Sequence, residues 1–393
     1  MTASKESRFT LAFFLAAVLP PAGVFLSKAS GSLFCALAGT FLLLLAAIGW
    51  GATEKLAEKK RVHGALLALG TLSLVLMLPE AALRAANFRY ESRLEFGFPR
   101  PEYMYLYQAD PDLFWVFHPG PGINRDGFRS APLDSPKEEG TFRILLLGDS
   151  CIFKYFPEML QKQLSNLTDK KIEIVNLAVP GYSSFQGRRA AEKYGQSARA
   201  DLVIVSFGWN DHWLAYDSRD SGKKAPEGEA KLLAYTLHHW RLLQGTFWLM
   251  DHFKTPLKET RVLPDEYKDN LSAIHQVFKP LGVPVVFFTA ASSHESLGVE
   301  DAIIQMHFGT DADSIRKLHK AYNEIVRQTA LGQGGILLDL EASLKDRDDL
   351  NVLFKKDGIH FTDAGFEVLV RQTAEFLISH QFVPLKKQPS EAR

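Results

Sequence analysis

Ser150 closes the stretch Arg143–Ser150 (RILLLGDS), and Asp357-Gly358-Ile359-His360 lies more than two hundred residues downstream; together they offer a hydroxyl, a carboxylate and an imidazole. In an Asp-x-x-His turn the two side chains converge on one side, so Asp357 can orient His360 toward a nucleophile held elsewhere. Gly181, in Asn176–Ser183, lets a backbone N–H approach a ligand closely. Asn210, in Phe207–His212, adds a carboxamide donor. Taken singly, each has a plainer explanation: a capping turn at Asp149-Ser150, a turn glycine, a helix cap and a loop histidine. Taken together they form a nucleophile, a base with its orienting acid, and fixed donors for a developing negative charge.

The elements that must position them are legible as alternating runs. Ile144–Leu147 is short and uniformly apolar, the pattern of a strand buried on both faces, and Gly148 ends it. Beyond it, Pro157 suits a first helical turn, and Phe156, Leu160, Leu164 and Leu167 recur at helical spacing. Ser150 thus sits on a strand-to-helix turn, where a hydroxyl leaves the sheet close to helical N–H groups. Further strands are expected at Ile172–Val175, Leu202–Ser206, Val283–Thr289 and Ile336–Leu340, with helices at Asp265–Lys279 and Asp313–Thr329 and a last one through Phe376. Such alternation predicts an α/β fold whose parallel sheet is covered on both faces, with function gathered in loops at the carboxyl ends of the strands. All four candidate stretches fall in loops that follow expected strands, the last of them ahead of the C-terminal helix.

Composition narrows the partners. The chain has 393 residues with 45 Lys+Arg against 45 Asp+Glu, which gives no basic footprint for nucleic acid. Its two cysteines, Cys35 and Cys151, support neither a disulfide framework nor a thiolate metal cluster. No phosphate loop or dinucleotide fingerprint occurs, so no cofactor is expected.

The N-terminal region has a different character. Phe9–Leu26 and Ser32–Ala52 carry no charge, and Gly64–Pro79 is a shorter apolar run. At ~1.5 Å per residue the first two can cross a hydrocarbon core of ~30 Å. Residues 1–84 are therefore expected to form a membrane anchor of two to three helices at about 9–27, 32–52 and 64–80. Lys5 and Arg8 precede the first, and Lys55, Lys59, Lys60 and Arg61 follow the second, which places these segments in the cytoplasm. With three spans the remainder lies on the periplasmic or extracellular side; with two it stays inside. Residues 85–142 read as an aromatic-rich arm wrapping the core, 143–380 as the core domain, and 381–393 as a polar tail.

From about Arg143 to Ile378 the chain resembles the SGNH hydrolases, the GDSL family of serine esterases and acyl-transfer enzymes. Gly148-Asp149-Ser150, the block around Gly181, Gly208-Trp209-Asn210-Asp211 and Asp357-Gly358-Ile359-His360 carry the resemblance. It implies a flavodoxin-like, three-layer α/β/α sandwich with a five-stranded parallel sheet. It also implies Ser150 as nucleophile, His360 as general base and acid, and Asp357 as its orienting residue. The backbone N–H groups of Ser150 and Gly181, with the Asn210 side chain, would form the oxyanion hole. Asn124–Arg129 looks like a stretch that precedes this core in membrane-anchored bacterial members. Two departures stand out: Cys151–Tyr155 replaces the family's usual threonine and glycine after GDS, and a long insert occupies about 213–263.

Other chemistry from the same residues stays open at this stage. Cys151 is a thiol beside Ser150, and Asp211, His212, Asp357 and His360 include metal-ligating types. The serine route is preferred because it also uses Gly181 and Asn210. The expected function is a membrane-anchored esterase or deacylase removing acetyl or other O-acyl groups from an extracytoplasmic glycan or lipid. The alternatives are an acyltransferase passing the group to a polysaccharide hydroxyl, with a membrane-protein partner, and a non-catalytic binding module. The aromatic insert is expected over the rim near Asn210, selecting the acyl acceptor.

Overall fold

The computed structural model describes residues 79–80, 82–89, 106–216, 218–223, 241–253 and 257–386. The three expected membrane helices at 9–27, 32–52 and 64–80 lie almost wholly outside them. Among the described residues, no helix is long and apolar enough to cross a membrane. The chain divides into two compact units, one of Met1–Ser92 with Pro226–Phe253, the other of Arg93–Ala225 with Lys254–Arg393. The insert is therefore split between them.

In the first unit the described part is residues 79–80 and 82–89, helical at 79–80 and 82–85, and 241–253, which carries the helix Arg241–His252. Glu80 joins them: its Oε1 accepts from Arg84 Nε and its Oε2 from the Leu242 N–H, each at 2.6 Å. The Phe88 ring meets Trp248 edge-on with centroids 6.3 Å apart.

Among its described residues the second unit has seven strands: β1 (Tyr107–Asp110), β2 (Phe114–Phe117), β3 (Thr141–Gly148), β4 (Lys171–Asn176), β5 (Leu202–Ser206), β6 (Val285–Phe288) and β7 (Ile336–Leu338). β1 and β2 form an antiparallel hairpin, and the other five form a parallel sheet in the order β4-β3-β5-β6-β7. Five longer helices cover it: α1 (Phe156–Leu167), α2 (Ser184–Tyr194), α3 (Pro264–Phe278), α4 (Ala312–Gln333) and α5 (Asp363–Ser379).

Strand alternation sorts the core into two layers. Leu145, Leu147, Val203, Val205 and Phe287 pack with α2, α3, α4 and the β1–β2 hairpin, through residues such as Ala190, Leu271, Val326 and Trp115. Ile144, Leu146, Ile204, Val286 and Phe288 pack with α1 and α5, through Leu160, Leu164, Leu369 and Leu377. The central strands are consequently apolar without a break over Ile144–Leu147, Leu202–Val205 and Val285–Phe288, which is why these stretches read as continuous runs.

Three details add to or depart from the expected elements. The helix expected around Pro157 is present as α1, and a separate turn precedes it. A single turn, Ser150–Phe153, ends before Tyr155, whose φ of 68° breaks the spiral ahead of α1 with Pro157 in its first turn. The run Ile336–Leu340 ends as a strand at Leu338, because Asp339 caps a short helix by accepting from the Ala342 N–H at 3.1 Å. The arm contributes the hairpin: Trp115 and Phe128 are fully buried, and the Tyr182 hydroxyl donates to the Trp115 carbonyl at 2.6 Å.

Candidate active site

Every site begins at the carboxyl edge of the sheet. β3 ends at Gly148, Asp149 caps the following turn by accepting from the Cys151 N–H at 2.9 Å, and Ser150 is thereby lifted to the rim. Its Oγ lies 2.8 Å from His360 Nε2, and His360 Nδ1 lies 2.7 Å from Asp357 Oδ2. The other Asp357 oxygen accepts from the backbone N–H groups of Ile359 and His360, both at 2.9 Å. Burial works to raise the Asp357 pKa, but the bonds and charge of His360 outweigh it and hold the carboxyl down at about 2. An ionised carboxylate can only accept, so Nδ1 carries the imidazole proton and Nε2 is left to accept from the Ser150 hydroxyl.

Gly181 and Asn210 line the same cavity, of about 350 Å³, as Ser150, Asp357 and His360. Gly181 has φ +83°, a conformation in which a side chain is strained, and its loop follows β4. Asn210 is buried, and its Nδ2 donates to Asp149 Oδ2 at 3.2 Å. A carboxamide has two N–H bonds, so one can be anchored while the second is available to a ligand. All five candidate residues are thus brought to one place.

Asp211 and His212, named with Asp357 and His360 for a metal, do not line that cavity. His212 turns inward, with Nε2 3.3 Å from His319 Nδ1, and burial lowers its pKa to about 3. Asp211 accepts from the Ser184 N–H at 2.8 Å, at the start of α2. Among the described residues no three His, Cys, Asp or Glu side chains are grouped to hold a metal ion. Burial, then Asp149, pushes the Cys151 thiol well up, which keeps it protonated and poorly nucleophilic.

Asp211 carries a pH dependence of its own. Burial raises its carboxyl pKa to about 7, against the bond from Ser184 and the charge of Arg261. An unfolded aspartate ionises near ~3.9. Between those values the unfolded chain has lost the proton that the folded chain keeps, so stability falls as pH rises through this window and levels off above it. Asp211→Asn keeps an acceptor for Ser184 without the charge. Its thermal midpoint is expected to exceed the parent's by a margin that widens from pH 5 to pH 8, equivalent to about 4 kcal/mol at most. A margin constant with pH would show that Asp211 does not titrate in this way.

The groups that hold the candidate loops carry no local pattern in the sequence. Arg261, at the end of the insert, is 2% exposed; its Nη1 donates to the Gly181 carbonyl at 2.9 Å and its Nη2 to Asp220 Oδ2 at 2.8 Å. Burial works against the charge on Asp220, but Arg261 and Lys223 prevail and hold its carboxyl below the usual range. His294 Nε2 bonds the Asp357 carbonyl at 2.7 Å, and the Ser293 N–H bonds the Gly358 carbonyl at 3.0 Å. Gly358 has φ +69°, and a Cβ there would lie 2.3 Å from His294 Cδ2, so this turn admits only glycine. The one available signal was position: Ser292-Ser293-His294 follows β6 at the same sheet edge.

Fold and site together define the class as an ester-hydrolysing α/β enzyme. The model of the GDSL-like Lipase/Acylhydrolase family matches residues 146–368, and the chain belongs to that family of SGNH/GDSL hydrolases. No curated protein matches the sequence. Among solved structures, a lipase/acylhydrolase from Enterococcus faecalis aligns with TM-score 0.42 at 13% identity, over 63% of this chain and 100% of its own. A GDSL-like lipase from Bacteroides thetaiotaomicron gives 0.39 at 12%, over 61% and 88%. A variant of an acetyl-xylooligosaccharide esterase from Geobacillus gives 0.39 at 18%, over 62% and 96%.

Proposed function

We propose that the chain is a membrane-anchored serine esterase that removes O-acyl groups from an extracytoplasmic glycan or lipid through an acyl-enzyme on Ser150. The observation that carries this reading is the unbroken relay from Ser150 Oγ to His360 at 2.8 Å and on to Asp357 at 2.7 Å. As the Ser150 oxygen attacks the ester carbonyl, its proton passes to His360 Nε2. The Ser150 and Gly181 N–H groups and the Asn210 carboxamide take up the negative charge on the carbonyl oxygen. When the C–O bond breaks, His360 returns the proton to the departing alkoxide, leaving acyl-Ser150 and a free alcohol. Water then repeats the sequence, giving up its proton to His360 and releasing the carboxylic acid with Ser150 restored. The charge-free runs Phe9–Leu26 and Ser32–Ala52 support the anchor.

The test is hydrolysis of p-nitrophenyl esters by the purified full chain, with and without chelator and an added glycan acceptor. Chelator-insensitive release of free acid is expected; acylated glycan as the main product would turn the reading toward transfer. Asn210→Ala is expected to lower kcat by about a hundredfold or more, the usual loss for one oxyanion donor, with a smaller effect on KM. An unchanged kcat would remove Asn210 from the oxyanion hole.

A further inference from the structure

The cavity at Ser150 says which acyl group it takes, an inference that rests on the esterase reading above. Apart from the catalytic groups, its lining is apolar or aromatic. Phe117 and Phe153, stacked with centroids 5.1 Å apart, belong to one packed cluster and form one wall; Trp213, Ile303 and Phe308, with Met306 packed against them, belong to another and form a second. The second wall is fixed in advance. Trp213 stacks on Phe308 at 4.3 Å and 9°, its indole N–H donates to the Met306 carbonyl, and the Leu214 N–H donates to the His307 carbonyl at 3.0 Å. The other lining indole, Trp209, donates to the Ala291 carbonyl. Among the described residues, no acidic, basic or amide side chain beyond the catalytic set lines the cavity, and Tyr107 brings its only other hydroxyl, so sugar hydroxyls placed inside would lose water for few partners.

Size points the same way. At about 30 Å³ for each water-sized group, the cavity of about 350 Å³ holds roughly ten such groups, whereas an acetyl group supplies only a few heavy atoms. An acetyl ester would leave most of this apolar surface unfilled. Phe153 stands three residues after Ser150, in the segment Cys151–Tyr155 that departs from the family's usual sequence, and Trp213 begins the insert. Both departures therefore shape the same chamber.

We propose that the enzyme is a deacylase for apolar acyl chains of about six to eight carbons, with Trp213, Met306 and Phe308 setting the chain length. The expected dependence follows from burial: each methylene removed from water is worth about fourfold in kcat/KM. The experiment compares p-nitrophenyl acetate, butyrate, hexanoate and octanoate with the full chain, so the leaving group is constant. We expect kcat/KM to rise on the order of a hundredfold from acetate to hexanoate. A flat series, or one led by acetate, overturns the proposal while leaving the Ser150 esterase intact. Failure to hydrolyse any ester overturns both. Met306→Trp, which fills the chamber, is expected to lower the octanoate-to-acetate ratio at least tenfold. Because both rates come from one preparation, the ratio is insensitive to the fraction folded. An unchanged ratio in Met306→Trp and in Phe308→Ala overturns the assignment of the wall.

Discussion

With Ser150 replaced by alanine, ester hydrolysis is expected to fall by about a millionfold in kcat, with binding of substrate largely kept. The reason lies in how the relay is built. His360 has its Nδ1 side committed to Asp357, and its Nε2 faces only the Ser150 hydroxyl at 2.8 Å. Without that oxygen there is no covalent acceptor for the acyl group, and the neighbouring thiol cannot stand in, since burial keeps Cys151 protonated. A residue of activity over the uncatalysed rate should survive, because the donors at Gly181 and Asn210 are untouched. His360→Ala should lose a comparable factor, and the double variant little more, as expected of groups that act as a unit. Retention of more than a hundredth of the parent rate in Ser150→Ala would require another nucleophile.

The second large effect falls on a residue that touches no substrate. Arg261→Met is expected to destabilise the fold by about 3–5 kcal/mol, because it strips the main partner from a buried carboxylate. Asp220 is 0% exposed and keeps only Lys223 and the Ser183 hydroxyl, at 2.7 Å each. The Gly181 carbonyl loses its donor as well, so the loop proposed to carry an oxyanion N–H is freed. In the folded fraction kcat should therefore fall more than KM rises. The double variant Asp220→Asn, Arg261→Met should regain part of the stability without regaining kcat, since the buried charge is gone but the Gly181 carbonyl is still unheld. Denaturant midpoints and active-site-titrated rates separate the two. A single variant within about 1 kcal/mol of the parent would show that the pair is not the clamp described.

What was legible in the sequence, and what was not, follows from the range of the interactions. Strands β3 and β5 are covered on both faces, so each appears as an apolar run, and the rule for carboxyl-end loops led directly to Ser150, Gly181 and Asn210. Asp357 and His360 interact across a single turn and were visible as a local pattern. The supporting groups act across distance: Arg261 reaches Gly181 over 80 residues of chain, and His294 reaches Asp357 over 63. No local period marks them. The hairpin of β1 and β2 was hidden because all four residues of β2 are buried, which erases the alternation by which a half-covered strand is recognised. Tyr155 separates the short turn at Ser150 from α1 through a φ of 68°, a backbone angle that no residue pattern signals. Within the apolar N-terminal stretch, the expected helices at 9–27 and 32–52 lie outside the described residues.

Ser150 as nucleophile is tested by covalent labelling of its hydroxyl. The full chain is treated with a fluorophosphonate, digested, and the modified peptide located by mass spectrometry, alongside Ser150→Ala and His360→Ala. The relay predicts one adduct, on Ser150, absent from Ser150→Ala and formed at least a hundredfold more slowly in His360→Ala, as the loss of general base catalysis requires. A label on Cys151 or elsewhere, or full hydrolytic activity in a chain whose Ser150 is quantitatively blocked, would contradict it.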